Sequence, residues 1–572
     1  MLTGPGRVGG PFFGDGRMKN RMHKLAAAVM VTLVAFSATA QDAAPIETTI
    51  GGGDQAGNRP SDAAIEAAEE AVRAAARATE RAVAPAGAGE ARMPPGAALF
   101  VLREIRFTPS GYLEASSLAA IEATLLGRRF RADDLSAITD AVARVYAERG
   151  IVLAQPIVTG VDPANGRVEV ELFEARIGAV RVASGLSRPE YYRWRLGLRT
   201  GDLADTRIID ARLNRLALTD GVAFDANFVP GSERGQTDLV AEVSEPKRLT
   251  GEITADNYGT PAQGTLRLGA TLRNAALTGW NDPLALSISR GAGALSLSAS
   301  YGRVITPSGA ALSITAGYDR AETRAAPRVE TQTRFAELSL AVPTLVEERR
   351  RVSFGLGMHW FSEQSDIAGA PLLDQAGGYL SLGTTAAWFG DFASIQVSQA
   401  LRLLRYDDAI TGATGIGGVL LPGDLTIAAP ITRELSFSLR AGWQLAVAAP
   451  LPARFKFSSA SPYAVRGYPT GLQSGDSGWF ARAQFEYALP AEVLPEELSL
   501  TPFVFADTGE AHDYVAGRNV GQGRLASAGI GMSMTTGEGV FADAFVARPL
   551  RDVPGFTAGG RWSAFARVGL RF

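Results

Sequence analysis

The sequence predicts a membrane β-barrel of sixteen antiparallel strands, preceded by two small α+β modules and an N-terminal helix. The first observation is alternation, which runs from about residue 248 to the end. Leu312, Ile314, Ala316 and Tyr318 interleave with Ser313, Thr315, Gly317 and Asp319, and the chain closes on Ala564, Ala566, Val568, Leu570 and Phe572 interleaved with Arg567, Gly569 and Arg571. Period two sends each set to its own face of a strand. An apolar outer face and a polar inner face suit a wall between lipid and a wet lumen. Second, no run of roughly eighteen or more apolar residues follows residue 40, so no helix there is expected to span a bilayer. Third, connections 306–310, 389–392, 432–435 and 536–539 are tight, whereas 319–331, 362–377, 406–423, 448–477 and 510–523 are long. Tight turns at one end and long loops at the other are the asymmetry of an outer-membrane barrel. A soluble β-sandwich needs fewer strands and would not keep it.

The N-terminus reads as an address. Lys19, Arg21 and Lys24 precede an apolar run from Leu25 to Phe36, and Ala38-Thr39-Ala40 supplies small residues before Gln41. This is the pattern of a signal peptide over 1–40, with a true start at Met18 or Met22. Its removal takes five basic residues and one acidic one, which moves the net charge from −3 to about −7. Nucleic-acid binding is excluded on that balance. The chain has no cysteine, which excludes disulfides, thiolate metal sites and a cysteine nucleophile.

Residues 41–98 form an N-terminal segment. Ser61 or Asp62 can cap a helix over 62–84 that Pro85 ends, and an Ala/Gly/Pro linker closes on Pro94 and Pro95. The helix is rich in alanine, and its large apolar residues are only Ile65, Val72 and Val83. It buries too little to anchor a core and reads either as a solvated rod or as a plug in a wet lumen. Two modules follow, at 99–175 and 176–247. The first is expected to hold a strand at 100–107, helices at 118–125 and 132–149, and strands at 151–160 and 168–175. The second repeats the order with a strand at 178–183, helices at 191–198 and 208–218, and strands at 222–230 and 237–243. Each has open sheet edges able to take an extended guest strand. From 248 to 572, sixteen strands are expected to start near 248, 264, 283, 295, 311, 331, 352, 378, 393, 424, 436, 478, 498, 524, 540 and 562. An even count puts both barrel ends on the short-turn side, with the modules.

The longest loop carries Val465, Arg466, Gly467 and Tyr468, and the thirteenth strand carries Phe505, Asp507 and Gly509. A loop folded into the lumen can bring Arg466 to the inward-facing Asp507, where a bidentate pair is strong and geometrically specific. In this order and separation the two motifs resemble the VRGY and FxDxG signatures of the Omp85 superfamily. The two modules are similar to POTRA domains. With the N-terminal helix they narrow the likeness to the two-partner secretion transporters (TpsB-type), the haemolysin and haemagglutinin secretors. Asp256-Asn257-Tyr258-Gly259 and Asp476-Ser477-Gly478 share in the resemblance, which covers essentially the whole mature chain. One departure stands out: Ser458, Ser459 and Ala460 occupy the approach to the arginine motif, where the family often has a Gly-Gly pair.

The resemblance implies an outer-membrane location with periplasmic modules, and a loop pinned by Arg466 and Asp507. It implies a secreted partner exoprotein that docks on the modules, crosses unfolded and folds outside, with activation of that partner as a further role. Val568, Leu570 and Phe572 look like the signal read by barrel-assembly machinery. Periplasmic chaperones are further partners, no cofactor is expected, and the chain is expected to act as a monomer. Two rivals are an Omp85-type insertase, which normally carries more than two POTRA modules, and a diffusion porin, which leaves Arg466, Asp507 and the modules unused. No enzyme is expected. Gly475-Asp476-Ser477-Gly478 mimics a serine nucleophile motif, but His359 and His512 show no orienting partner in the sequence, and neither phosphate-loop nor metal spacing occurs.

Overall fold

The computed structural model describes residues 99–572, apart from 132–134, 448–449, 496 and 516–517. The signal peptide, the helix over 62–84 and the linker lie outside the described residues. In the first module, β1 (Glu104–Phe107), α1 (Ala115–Leu125), α2 (Ser136–Glu148), β2 (Ala154–Asp162) and β3 (Arg167–Glu174) follow in order. Strand β3 is central, parallel to β1 and antiparallel to β2. Ile138, Val142 and Tyr146, spaced four apart on α2, bury against it. The single strand expected over 100–107 is split. Leu102 N donates to Arg128 O while Arg103 N donates to Gly166 O, so the chain changes partner there.

The second module repeats the order with β4 (Arg176–Ala183), α3 (Pro189–Leu196), α4 (Thr206–Asp220), β5 (Ala223–Pro230) and β6 (Gln236–Ser244), β6 being central. Asp205 caps α4 by accepting from Arg207 N. Glu245, just past β6, accepts from Tyr192 Oη and from the amides of Gly185, Leu186 and Ser187. Burial pushes its carboxyl up, but those hydrogen bonds prevail and hold it below the usual range.

The barrel comprises β7 (Leu249–Asp256), β8 (Arg267–Asn274), β9 (Leu284–Gly291), β10 (Ala294–Val304), β11 (Ala311–Glu322) and β12 (Val329–Val346). It continues with β13 (Arg350–Ile367), β14 (Ala370–Phe389), β15 (Ser394–Asp408), β16 (Ala413–Pro430) and β17 (Leu435–Val447). Strands β18 (Ser477–Tyr487), β19 (Leu498–Val515), β20 (Leu525–Thr536), β21 (Val540–Pro549) and β22 (Ser563–Arg571) complete it. These sixteen strands pair antiparallel in sequence, and β22 returns to β7 to close the hoop. A short strand at Arg518–Gly521 folds back on the top of β19.

Two of the expected starts move. Strand β14 begins at Ala370 rather than near 378, and β16 at Ala413 rather than near 424. The long connections expected at 362–377 and 406–423 are in fact hairpins whose strands run on past the apolar band. On β13 the outward side chains Phe354, Leu356, Met358 and Trp360 are exposed, and Ser362, Gln364 and Asp366 continue the same face above them. The polar stretch had the look of loop, yet its backbone stays paired with β12 and β14. The rim is uneven as a result. Strands β12, β13 and β14 span 18, 18 and 20 residues, whereas β9, β10 and β11 span 8, 11 and 12.

The closing ladder between β22 and β7 has five residue pairs. Glu252 accepts from Arg567 (2.6 Å) and Arg571 (2.9 Å) across it. Beyond the ladder the Asn257 carboxamide continues the pairing, donating to Ala564 O (3.0 Å) and accepting from Ala566 N (2.9 Å). The Phe572 amide and carbonyl pair with Gly251, and its ring covers that glycine. Phe572→Ala should lower the amount of assembled barrel in the membrane fraction, read as loss of the heat-modifiable band on gels.

Module two sits on the tight-turn end of the barrel. Arg195, fully buried beside Asp220 (2.7 Å), donates through Nε to Pro307 O in the β10–β11 turn (3.0 Å). Arg215 reaches Ser308 O and Pro343 O, and Trp194 and Tyr191 pack on Trp280 in the β8–β9 turn. Arg195→Ala strands the Asp220 carboxylate in a dry site, at a cost of about 3–5 kcal/mol. Limited proteolysis of that variant should show cleavage near 245–249 well before the parent chain is cut.

Candidate functional site: the loop pinned inside the barrel

The connection between β17 and β18 folds back into the lumen as a closed hairpin. Its foot is Asp476, whose carboxylate accepts from Leu451 N and Tyr514 N, both at 2.8 Å. Ser477 Oγ accepts from Ala446 N (2.9 Å). The residues of the apparent serine-nucleophile motif are thus engaged in holding the two limbs together. A two-residue ladder joins Phe457–Ser458 to Ser474–Gly475. Ser459, fully buried, donates to Gln473 Oε1 (3.0 Å), and the Gln473 amide donates to Gln522 O and Gly523 O. At the position where the family often has a Gly-Gly pair, this chain uses hydroxyls to knit the limb.

At the tip, Arg466 is 2% exposed and Asp507 on β19 is 3% exposed. Arg466 Nε donates to Asp507 Oδ2 (2.7 Å) and Nη2 to Oδ1 (2.8 Å), a bidentate fork, and the Arg466 amide adds a bond to Oδ2 (3.1 Å). Nη1 goes to Gln484 Oε1 on β18 (2.7 Å). The guanidinium lies 3.5 Å above the centre of the Phe505 ring. The cation therefore has charge, planar geometry and a π face matched at once.

The rest of the two motifs falls into place around this pair. Val465 packs against Gly509, where an added Cβ would lie 2.9 Å from Val465 Cγ2. Gly467 has φ +93°, open to glycine, and its carbonyl accepts from Ser563 Oγ (2.6 Å). Tyr468 is buried, its hydroxyl within reach of Ala526 O (2.9 Å) and Arg551 O (3.0 Å). Tyr468→Phe leaves those carbonyls short of a donor and should lower the thermal stability of the assembled barrel, at a cost of about 1–2 kcal/mol. Tyr258 packs on Tyr463, Phe545 and Phe565, and its carbonyl accepts from Thr470 Oγ1 (3.2 Å). Val568, Leu570 and Phe572 lie away from this cluster, on the closing strand and just past it.

Sequence reasoning missed a second seat. Arg454 and Phe455, near the start of the loop, enter an aromatic box on β12–β14. The Arg454 guanidinium is 5.4 Å from the rings of Phe335 and Phe361, and Phe455 meets Phe361 (5.0 Å), Tyr379 (5.7 Å) and His359 (5.9 Å) edge-on. Its lining, Phe335, His359, Phe361 and Tyr379, faces inward from adjoining strands. His359, which shows no orienting partner in the sequence, sits in mid-strand stacked on Tyr379, with Nδ1 3.1 Å from Glu337 Oε2.

A closed sixteen-strand barrel, two α+β modules and a loop pinned in its lumen make the architecture of an outer-membrane barrel protein, the arrangement that the motif resemblance to the Omp85 superfamily implies. The model of the haemolysin secretion/activation proteins ShlB/FhaC/HecB matches residues 235–324 and 379–534. Among curated relatives, the heme/hemopexin transporter protein HuxB of Haemophilus influenzae (strain 86-028NP) is 25% identical over 175 residues, 30% of this chain and 31% of HuxB. The outer membrane transporter CdiB of Dickeya dadantii is 25% identical over 175 residues, with the same coverage. The chain thus spans about a third of the length of the curated relatives it matches. Among solved structures, CdiB from Escherichia coli superposes with a TM-score of 0.63 at 17% identity, covering 89% of this chain and 98% of that one. BamA from Haemophilus ducreyi lacking POTRA domains 1–3 superposes with a TM-score of 0.52 at 14% identity, covering 83% of this chain and 100% of that one. The matched stretches cover less than half of the chain, and over them it is similar to the ShlB/FhaC/HecB secretion/activation proteins.

Proposed function

We propose that this protein secretes a partner exoprotein across the outer membrane. The observation that carries the reading is the buried Arg466–Asp507 fork, which holds a long loop inside the barrel at a place where a plain diffusion pore has no use for it. The exoprotein reaches the periplasm unfolded and adds a strand to an open edge of a module: β1 or β2 in the first, β4 or β5 in the second. Main-chain hydrogen bonds carry that contact, so it asks little of the guest sequence. The guest then threads the lumen in extended form, and its folding outside makes the passage one-way. Arg466 and Asp507 hold the loop, with Val465, Gly467 and Tyr468 shaping its tip and Phe505 and Gly509 its seat. Val568, Leu570 and Phe572 serve insertion of the barrel itself. The likeness to HuxB, a heme/hemopexin transporter protein by name, and to the outer membrane transporter CdiB supports a transport role here.

The test is a comparison of secreted proteins from cells with and without this gene. Loss of one large exoprotein supports the reading, and an unchanged set of secreted proteins overturns it. Removal of residues 99–247 is expected to stop export while the barrel still assembles.

A further inference from the structure

The inner face of β9–β11 differs from the rest of the lumen. Leu286, Ile288, Leu297 and Ile314 on these strands are exposed on the outer face. The alternate positions Ser287, Ser296, Ser298, Ser300, Ser313 and Thr315 therefore line the lumen. Pairing aligns them in rows, Ser287 opposite Ser298 and Ser300 opposite Thr315. The hydroxyls engage one another or their neighbours: Thr271 with Ser287 (3.0 Å), Thr315 with Ser300 (3.1 Å), Ser313 with Ser339 (2.7 Å). The one charged side chain among the inward positions of these three strands, Asp319, accepts from Ser296 Oγ (2.5 Å).

The loop's two seats lie on β12–β14 and β18–β22, lined by Phe335, Phe361, Phe505 and Phe545 together with Arg466 and Asp507. The β9–β11 wall, by contrast, is nearly free of charge.

We infer that β9–β11 form the lane along which an extended, unfolded polypeptide passes; the inference rests on the reading of the protein as a translocator. Every residue of such a guest offers an amide donor and a carbonyl acceptor. A serine or threonine hydroxyl rotates to serve either. Because the hydroxyls of Ser287, Ser300, Ser313 and Thr315 already pair with other hydroxyls, a passing amide exchanges one hydrogen bond for another of similar strength. Neither aromatic pockets nor rows of charge arrest a particular sequence there. Contacts that are numerous, weak and interchangeable are what conduction requires.

The probe is a synthetic unstructured peptide of Gly, Ser, Thr and Asn carrying a single benzophenone. It is irradiated with the purified full-length protein in liposomes, and adducts are mapped by mass spectrometry. Adducts within residues 284–322 should exceed those within 498–571 by about fivefold or more if the lane is as inferred. Adducts concentrated on 498–571, an even spread, or none in the barrel overturn it. In a second arm, the triple variant S287L/S298L/T315L should keep heat-modifiable migration and lose adduct yield by about fivefold. An unchanged yield overturns the lane, and if the variant does not assemble, the parent map decides alone. The two readings fail separately. A cell that loses its exoprotein while adducts map to 498–571 keeps the translocator and drops the lane, whereas unchanged secretion with adducts on 284–322 does the reverse.

Discussion

Replacing Arg466 with alanine should cut export at least about tenfold while the barrel still reaches the membrane. The substitution leaves Asp507, 3% exposed, with a carboxylate that has lost its bidentate partner. Uncoupling a buried pair costs about 3–5 kcal/mol, enough to shift the seating equilibrium of the loop by roughly two to three and a half orders of magnitude. The Gln484 and Phe505 contacts go with it. Arg466→Lys retains the charge but gives up the planar fork and should fall between the two. Export of the partner is scored against heat-modifiable migration of the barrel. Normal export by the alanine variant removes the loop's role.

The second large effect is expected from Gly509→Val. A Cβ at that position lies 2.9 Å from Val465 Cγ2, 2.7 Å from Trp479 O and 3.0 Å from Phe480 Cβ, and two of those neighbours belong to the fixed wall. The 2.7 Å approach to Trp479 O forces a local shift in the β18–β19 pairing, and the Val465 side chain is the neighbour freest to move. Val465 must leave, and it carries Arg466 off Asp507. The loop's three basic residues, Arg454, Lys456 and Arg466, should then become cleavable by trypsin added to intact cells, where the parent resists. Overpacking of this kind costs about 1–3 kcal/mol, so the barrel itself should survive. A protease-resistant loop in the valine variant refutes the fit between the two motifs.

Much of the fold was legible because a barrel wall states its two faces in the sequence. Leu312 to Asp319 alternates without a slip, and its strand lies where expected. What failed was height. Ser362, Gln364 and Asp366 looked like loop because polarity usually marks a turn, but above the lipid a paired strand has water on its outer face and no reason to stay apolar. The Arg466–Asp507 contact could be anticipated because each member sits in a short motif and an inward carboxylate calls for a cation. The Arg454 seat could not. Its partners Phe335, Phe361 and Phe455 are 26 or more residues apart in sequence, and only the hoop brings their rings within reach. Gln484 was hidden for a similar reason: a lone amide on a strand carries no signal until its neighbour is known.

The uneven rim has a consequence for timing. On its low side the wall is built from strands of 8, 11 and 12 residues, which at ~3.3 Å per residue and a tilt of ~40° stand roughly 20–30 Å tall. A fully stretched guest covers that height with about six to nine residues. So short a stretch in confinement means that a newly emerged segment is released to fold almost at once, long before the rest of a large cargo has arrived. Under the proposed export role, each small folded unit would act as a pawl behind which the chain cannot retreat, with the step of the ratchet set by the height of the low rim.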